Sequence, residues 1–151
     1  MVRERFWERD DLGYREGRLV FAGRDVAALA RAAGMPAFFY SAARIRTNLE
    51  AVGGALASTG LATGPYYAMK ANRYQPLLTY IKTTGLAGVD VCSPGEMRLA
   101  LACGFDEAEI SYTATSVSNE DLDILALHPR VLVNCDSQSS LRRLAERSPG
   151  R

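Results

Sequence analysis

Histidine, tryptophan and lysine are nearly missing from this chain, which holds one, one and two of them among 151 residues. A single histidine and three cysteines at wide, irregular spacings, Cys92, Cys103 and Cys135, with no C-x-x-C pair, argue against a zinc site. The cysteines read as small buried hydrophobes in a reducing compartment. His128 stands before Pro129 at the start of a strand signal, which predicts a solvated loop position without a catalytic role. Charge of one sign is missing too: the formal net charge is +1, with arginines scattered among acidic residues, so no nucleic-acid or membrane partner is implied. The first ten residues alternate Arg and Glu without an apolar core, unlike a secretory or transmembrane segment, and a cytoplasmic protein is expected.

What is present is an ordinary globular composition, 48% hydrophobic and 23% charged, sufficient for one core. From Phe38 onward strand and helix signals alternate. Strands are expected over 38–41, 66–71, 88–92, 110–113 and 131–135, with helices over 43–58, 76–84, 94–103, 119–127 and 137–147. Ser93-Pro94-Gly95-Glu96 and Ser118-Asn119-Glu120-Asp121 carry helix-start chemistry of the capping-box kind. Glycines 34, 60, 85 and 104 follow helical stretches, where a left-handed residue is wanted. Upstream, 18–22 reads as one further strand and 25–33 as a short helix.

This alternation predicts an α/β fold with a parallel sheet. About five βα units fall short of the eight in a TIM-type barrel, which takes about 250 residues. Spacing alone leaves open an incomplete barrel, an open doubly wound sheet, or a part of something longer.

One of the two lysines, Lys70, lies in the apolar run Tyr66-Tyr67-Ala68-Met69-Lys70-Ala71-Asn72, in a chain that elsewhere uses arginine for positive charge. Arginine can neither lose its proton in a protein nor form an imine, whereas lysine can do both. A lysine at the end of a buried strand is a candidate for Schiff-base chemistry, provided that its amine is desolvated. The plainer alternative is a lysine snorkelling from the strand end into water. Strand alternation would place Ala68 beside Lys70, leaving room for a flat ring, and would put Asp90 and Cys92 on one face of the next strand. Glu96 is accounted for by its capping position. Asn72 could cap the following helix together with Gln75, and Tyr66, Tyr67 and Trp7 read as packing residues.

Three stretches in order, Tyr67-Ala68-Met69-Lys70-Ala71-Asn72, Gly88-Val89-Asp90-Val91-Cys92-Ser93-Pro94-Gly95-Glu96 and Val133-Asn134-Cys135-Asp136-Ser137, resemble motifs of the pyridoxal-phosphate-dependent decarboxylases of the diaminopimelate and ornithine group. Their fold is the barrel of alanine racemase. Gly34 to Tyr40 is similar to the segment that leads into that family's first barrel strand. The resemblance implies an incomplete TIM-type parallel (β/α) barrel over 37–151, preceded by an extension over 1–36. It implies pyridoxal 5'-phosphate as cofactor, with Lys70 as the catalytic residue and cofactor-bearing amine. Ala68, Asp90 and Glu96 would be the other cofactor-binding residues. A small amino acid of the diaminopimelate, ornithine, lysine or arginine class is the implied substrate, and a homodimer the implied assembly of the full-length proteins. The chain departs from that pattern in having no glycine-rich phosphate loop. Two alternatives therefore stand beside a decarboxylase: a non-catalytic truncated or split fragment that binds the cofactor weakly or pairs with a partner half, and a related racemase or cofactor carrier.

Overall fold

The computed structural model describes residues 5–60 and 63–150; Met1–Glu4 of the charged N-terminal stretch lie outside the described residues. The chain divides into two compact units, Met1–Ile45 and Arg46–Arg151.

In the first unit, β1 (Leu12–Arg15), β2 (Arg18–Phe21) and β3 (Arg24–Asp25) form an antiparallel sheet in the order β1-β2-β3 and lead into helix α1 (Val26–Ala33). The sequence predicts only the middle strand. Both connections have two residues at positive φ, Glu16-Gly17 (52° and 76°) and Ala22-Gly23 (48° and 78°). That left-handed pair is what a twisted two-residue hairpin requires, and here Glu and Ala stand where Asn or Asp would advertise the turn. Asp25 caps α1 by accepting the Ala28 N–H at 2.9 Å. Asp11 accepts from Arg44 Nη2 and Arg9 Nε, both at 2.7 Å. The Arg44 hydrogen bond is the main reason why its carboxyl falls to a pKa of about 2.

The expected strand over 38–41 does not form, and Phe38 and Tyr40 are exposed. An extended apolar segment becomes a strand only when its N–H and C=O groups find a ladder, and no strand among the described residues pairs with this one. Helix α2 (Ala42–Ala57) begins at Ser41, whose Oγ accepts the Arg44 N–H at 3.2 Å.

The second unit holds a four-stranded parallel sheet in the order β4 (Tyr66–Ala68), β5 (Gly88–Val91), β6 (Ile110–Thr113), β7 (Leu132–Asn134). Each strand feeds a helix: α3 (Gln75–Thr84), α4 (Pro94–Ala102), α5 (Asn119–Ala126) and α6 (Gln138–Arg147). Four βα units therefore replace the expected five. The sequential strand order with a helix after every strand is the construction of a TIM-type barrel, present here as its N-terminal part.

The two faces of this sheet differ. Val89, Val91, Ile110 and Tyr112 are essentially fully buried, as are Leu78, Ile81, Met97, Leu122 and Leu125 from the helices, so this face and the helices share the core. Burial also pushes the Tyr112 phenol up to about 12, which keeps it neutral. Alternation sends Ala68, Asp90, Ser111, Thr113 and Asn134 to the opposite face. In a closed barrel that face is the interior.

Helix starts follow the expected chemistry in part. Ser118 and Asp121 close a reciprocal capping box, and Asp106 with Glu109 closes another. Gly85 ends α3 in the left-handed conformation at φ 65°. Asn72 does not cap α3: its Oδ1 accepts the Tyr74 N–H at 2.9 Å, a local turn two residues before the helix.

Candidate active site

β4 stops at Ala68, two residues short of Lys70. Met69, Lys70 and Ala71 form a single 3-10 turn, closed by the Asn72 N–H donating to Met69 O at 3.1 Å. Met69 is fully buried and anchors the turn, while Lys70 is exposed. The expectation of a desolvated amine on a continuous strand is thereby corrected: backbone turning at Met69 lifts Lys70 out of the period-2 alternation and sets it at the strand mouth. Its Nζ makes no hydrogen bond or ion pair among the described residues.

Lys70 borders a cavity of about 540 Å³ shared with Cys92, Thr113, Ala114, Thr115, Asn134, Cys135 and Asp136. These residues come from the C-terminal ends of all four parallel strands and the turns that follow. That is the end of a barrel where substrates are bound. Ala68, Asp90 and Glu96, the other expected site residues, do not line this cavity; two of them touch residues that do.

Asp90 Oδ1 accepts the Thr113 hydroxyl at 2.6 Å. Asn134 Nδ2 in turn donates to Thr113 Oγ1 at 2.7 Å and to Ser111 Oγ at 3.0 Å. The result is a polar ladder across β5, β6 and β7 on the interior face. Asp90 makes no ion pair with Lys70 among the described residues, so its observed partner is a hydroxyl and not the expected ammonium.

Glu96 is 4% exposed. Ser93 Oγ accepts the Glu96 N–H at 3.2 Å, the first half of the expected capping box. The second half is absent, because the Glu96 carboxylate reaches past Ser93 and accepts from the Cys92 N–H at 2.8 Å and the Cys92 thiol at 3.2 Å. Arg73 Nε donates to its other oxygen. Burial opposes the ionised carboxylate, but these donors outweigh it and the Glu96 carboxyl lies below its ordinary value. The same carboxylate, together with burial, pushes the Cys92 thiol up.

Cys103 is buried, as expected of all three cysteines, whereas Cys92 and Cys135 are half-buried and line the cavity. Strand ends facing a cavity leave side chains partly open. His128 is half-buried, with Nδ1 2.9 Å from Glu107 Oε1, at the opposite end of the strands from Lys70.

Sequence reasoning missed Thr113, Asn134 and Arg73. The first two share strand parity with Asp90 and were discoverable by that rule. Arg73 carries no such signal, since its partner is 23 residues away.

Comparison with known proteins places this geometry. Residues 42–151 match the family described as pyridoxal-dependent decarboxylase, pyridoxal binding domain. The diaminopimelate decarboxylase of Methanothermobacter thermautotrophicus is 35% identical over 134 residues, covering 89% of this chain and 31% of that protein. The Bacillus subtilis diaminopimelate decarboxylase is 32% identical over 112 residues, 74% of this chain and 25% of that one. Among solved structures, AQ1208 from Aquifex aeolicus superposes with a TM-score of 0.80 at 29% identity, over 91% of this chain and 33% of its own. The chain thus spans about a third of the length of the relatives it matches. A lysine at the strand mouth, an ordered series of parallel βα units and a match over most of the chain agree, and the chain belongs to the pyridoxal-dependent decarboxylase family, with residues 42–151 matching its pyridoxal-binding domain.

Proposed function

We propose that this chain supplies the lysine-bearing part of an enzyme that decarboxylates an amino acid of the diaminopimelate, ornithine, lysine or arginine class with pyridoxal phosphate, in the cytoplasm. The observation that carries this reading is Lys70, a primary amine with no hydrogen-bond or ion-pair partner among the described residues, at the mouth of a cavity built from the C-terminal ends of four parallel strands. The residues present fit the cofactor. A free amine can bond an aldehyde carbon, and the small side chains of Cys92, Thr113, Ala114 and Thr115 leave space for a flat ring. When bound, pyridoxal phosphate supplies the electron sink for the carbanion left by departing carbon dioxide. Lys70 is the residue that would hold the cofactor, through its side-chain amine. The Asn134–Thr113–Asp90 ladder fixes a carboxylate on the interior face, where it can orient a cationic group. Resemblance to several diaminopimelate decarboxylases favours that substrate among the four.

Incubation of the purified chain with pyridoxal phosphate tests the reading: an imine absorbance band is expected that is lost in Lys70→Ala. No band in the unmodified chain would overturn it. Release of carbon dioxide from diaminopimelate, and not from lysine, ornithine or arginine, would fix the substrate.

The exposure of Lys70 supports a second reading for this stretch alone, binding of the cofactor without turnover. A band without carbon dioxide release would select this reading.

A further inference from the structure

The turn that carries Lys70 is short: buried Met69 anchors it against the sheet, while Lys70 and Ala71 are exposed. On its other side the chain passes through Asn72 to Arg73, whose side chain is 60% exposed yet ends on a carboxylate that is 3% exposed. Glu96 sits at the start of α4 and is bound simultaneously by the backbone and thiol of Cys92 at the end of β5. One buried carboxylate therefore joins the loop after β4 to the junction between β5 and α4. Cys92 lines the same cavity as Lys70.

We propose that Arg73 is a positioning residue for Lys70: through Glu96 it clasps the Lys70 turn to the β5–α4 junction, with the Cys92 thiol as the third member of the clasp. This rests on Lys70 being the cofactor-bearing amine, but the clasp itself can be read without cofactor. A carboxylate held against a thiol disfavours thiolate, whereas Lys70 and Arg73 pull the other way. Cys92 also shares its cavity with Asp136, and Tyr112 and Asp90 lie on the neighbouring strand positions. The Glu96 contact is the main reason why the thiol is pushed up. The amide to watch is that of Asn72, whose bond to Met69 O closes the Lys70 turn.

Three measurements on the full chain test the clasp. Without cofactor, iodoacetamide alkylation of Cys92, resolved by peptide mass spectrometry, should have a pH midpoint above the value of about 8.5 for an ordinary thiol. Glu96→Gln should lower that midpoint, where simple exposure would raise the plateau rate and leave the midpoint in place. A wild-type midpoint at or below the ordinary value would overturn the proposal even if Glu96→Gln fails to fold. Hydrogen exchange at the Asn72 amide should accelerate in Arg73→Gln and return toward wild type in Arg73→Lys; unchanged exchange in Arg73→Gln would overturn it. With pyridoxal phosphate, Arg73→Gln should weaken imine formation at Lys70 about tenfold, as losing an outer partner of a site residue does. The double variant with Glu96→Gln should be no weaker than the worse single variant, and additive losses would overturn the clasp. If the wild-type chain forms no imine at all, the cofactor reading fails and the first two measurements still decide whether the clasp exists.

Discussion

Thr113 donates its hydroxyl proton to Asp90 at 2.6 Å, although the residue directly across from Asp90 on β6 is Ser111. The contact is diagonal, and it works because Asn134 Nδ2 already occupies an acceptor site on Thr113 Oγ1, leaving the hydroxyl proton to point at the carboxylate. Thr113→Val keeps the shape and removes both bonds. It should cost about 1 kcal/mol in urea unfolding, the usual net worth of such a bond, while Thr113→Ser should retain most of it. Equal stability of the Val and Thr forms would mean that water serves Asp90 as well as Thr113 does.

Glu96 gives the site a pH dependence with a definite sign. Burial works against its charge, but the Cys92 N–H, Arg73 and the Cys92 thiol hold its folded pKa below the ordinary carboxyl value. A carboxyl depressed in the folded state contributes stability above its unfolded pKa, and that contribution is lost as pH falls through the folded value. Arg73→Gln removes one of the donors. Its deficit relative to wild type should be about 1 kcal/mol at pH 7, modest because Arg73 is largely exposed, and should shrink as both proteins are taken to pH 3. Urea unfolding at the two pH values measures it. A deficit that is the same at both would show that Arg73 acts by packing and not by charge.

Much of the barrel part was legible because each βα unit carries redundant signals. The Ile110–Thr113 strand matches its expected bounds, and the helices end within two residues of theirs. Ser118 with Asp121 and Gly85 show why: a cap or a left-handed residue is decided by its own side chain and its immediate neighbours. What failed depended on distant partners. The 38–41 segment has strand composition but no ladder, and the N-terminal hairpins turn on Glu16 and Ala22, which local preference would not choose. Residue chemistry singles out Lys70 as a candidate, yet its placement on a 3-10 turn is hidden because an apolar run does not say where a strand stops. Glu96 is the instructive residue. A capping box explains its position in sequence, and only tertiary contacts show that its carboxylate serves Cys92 and Arg73 instead of Ser93.

His128 and Glu107 should matter for stability and not for cofactor capture, since they sit at the N-terminal end of the strands, away from Lys70. The His128 hydrogen bond is the main cause of the lowered Glu107 carboxyl, with the Arg130 N–H adding to it against burial. Stability from Glu107 is therefore present above the ordinary carboxyl range and lost in acid. His128→Ala is expected to cost about 1 kcal/mol at neutral pH and to leave the imine band at Lys70 unchanged. A weakened band would show that the two ends of the strands are coupled.

Gly88 tests how closely β5 is packed between its neighbours. A Cβ there would stand 2.5 Å from the Glu109 carbonyl oxygen and 2.7 Å from the Tyr66 ring. The ring can swing aside, because Tyr66 is a partly exposed residue at the start of β4, but the carbonyl belongs to the chain entering β6 and cannot move without shifting a strand. Gly88→Ala should thus cost about 2 kcal/mol, the middle of the range for overpacking. Combining it with Tyr66→Ala should recover little, since that change relieves only the ring. Chemical denaturation of the two single variants and the double measures this directly. Full recovery in the double variant would show that the ring, and not the backbone of the next strand, is what reserves this position for glycine.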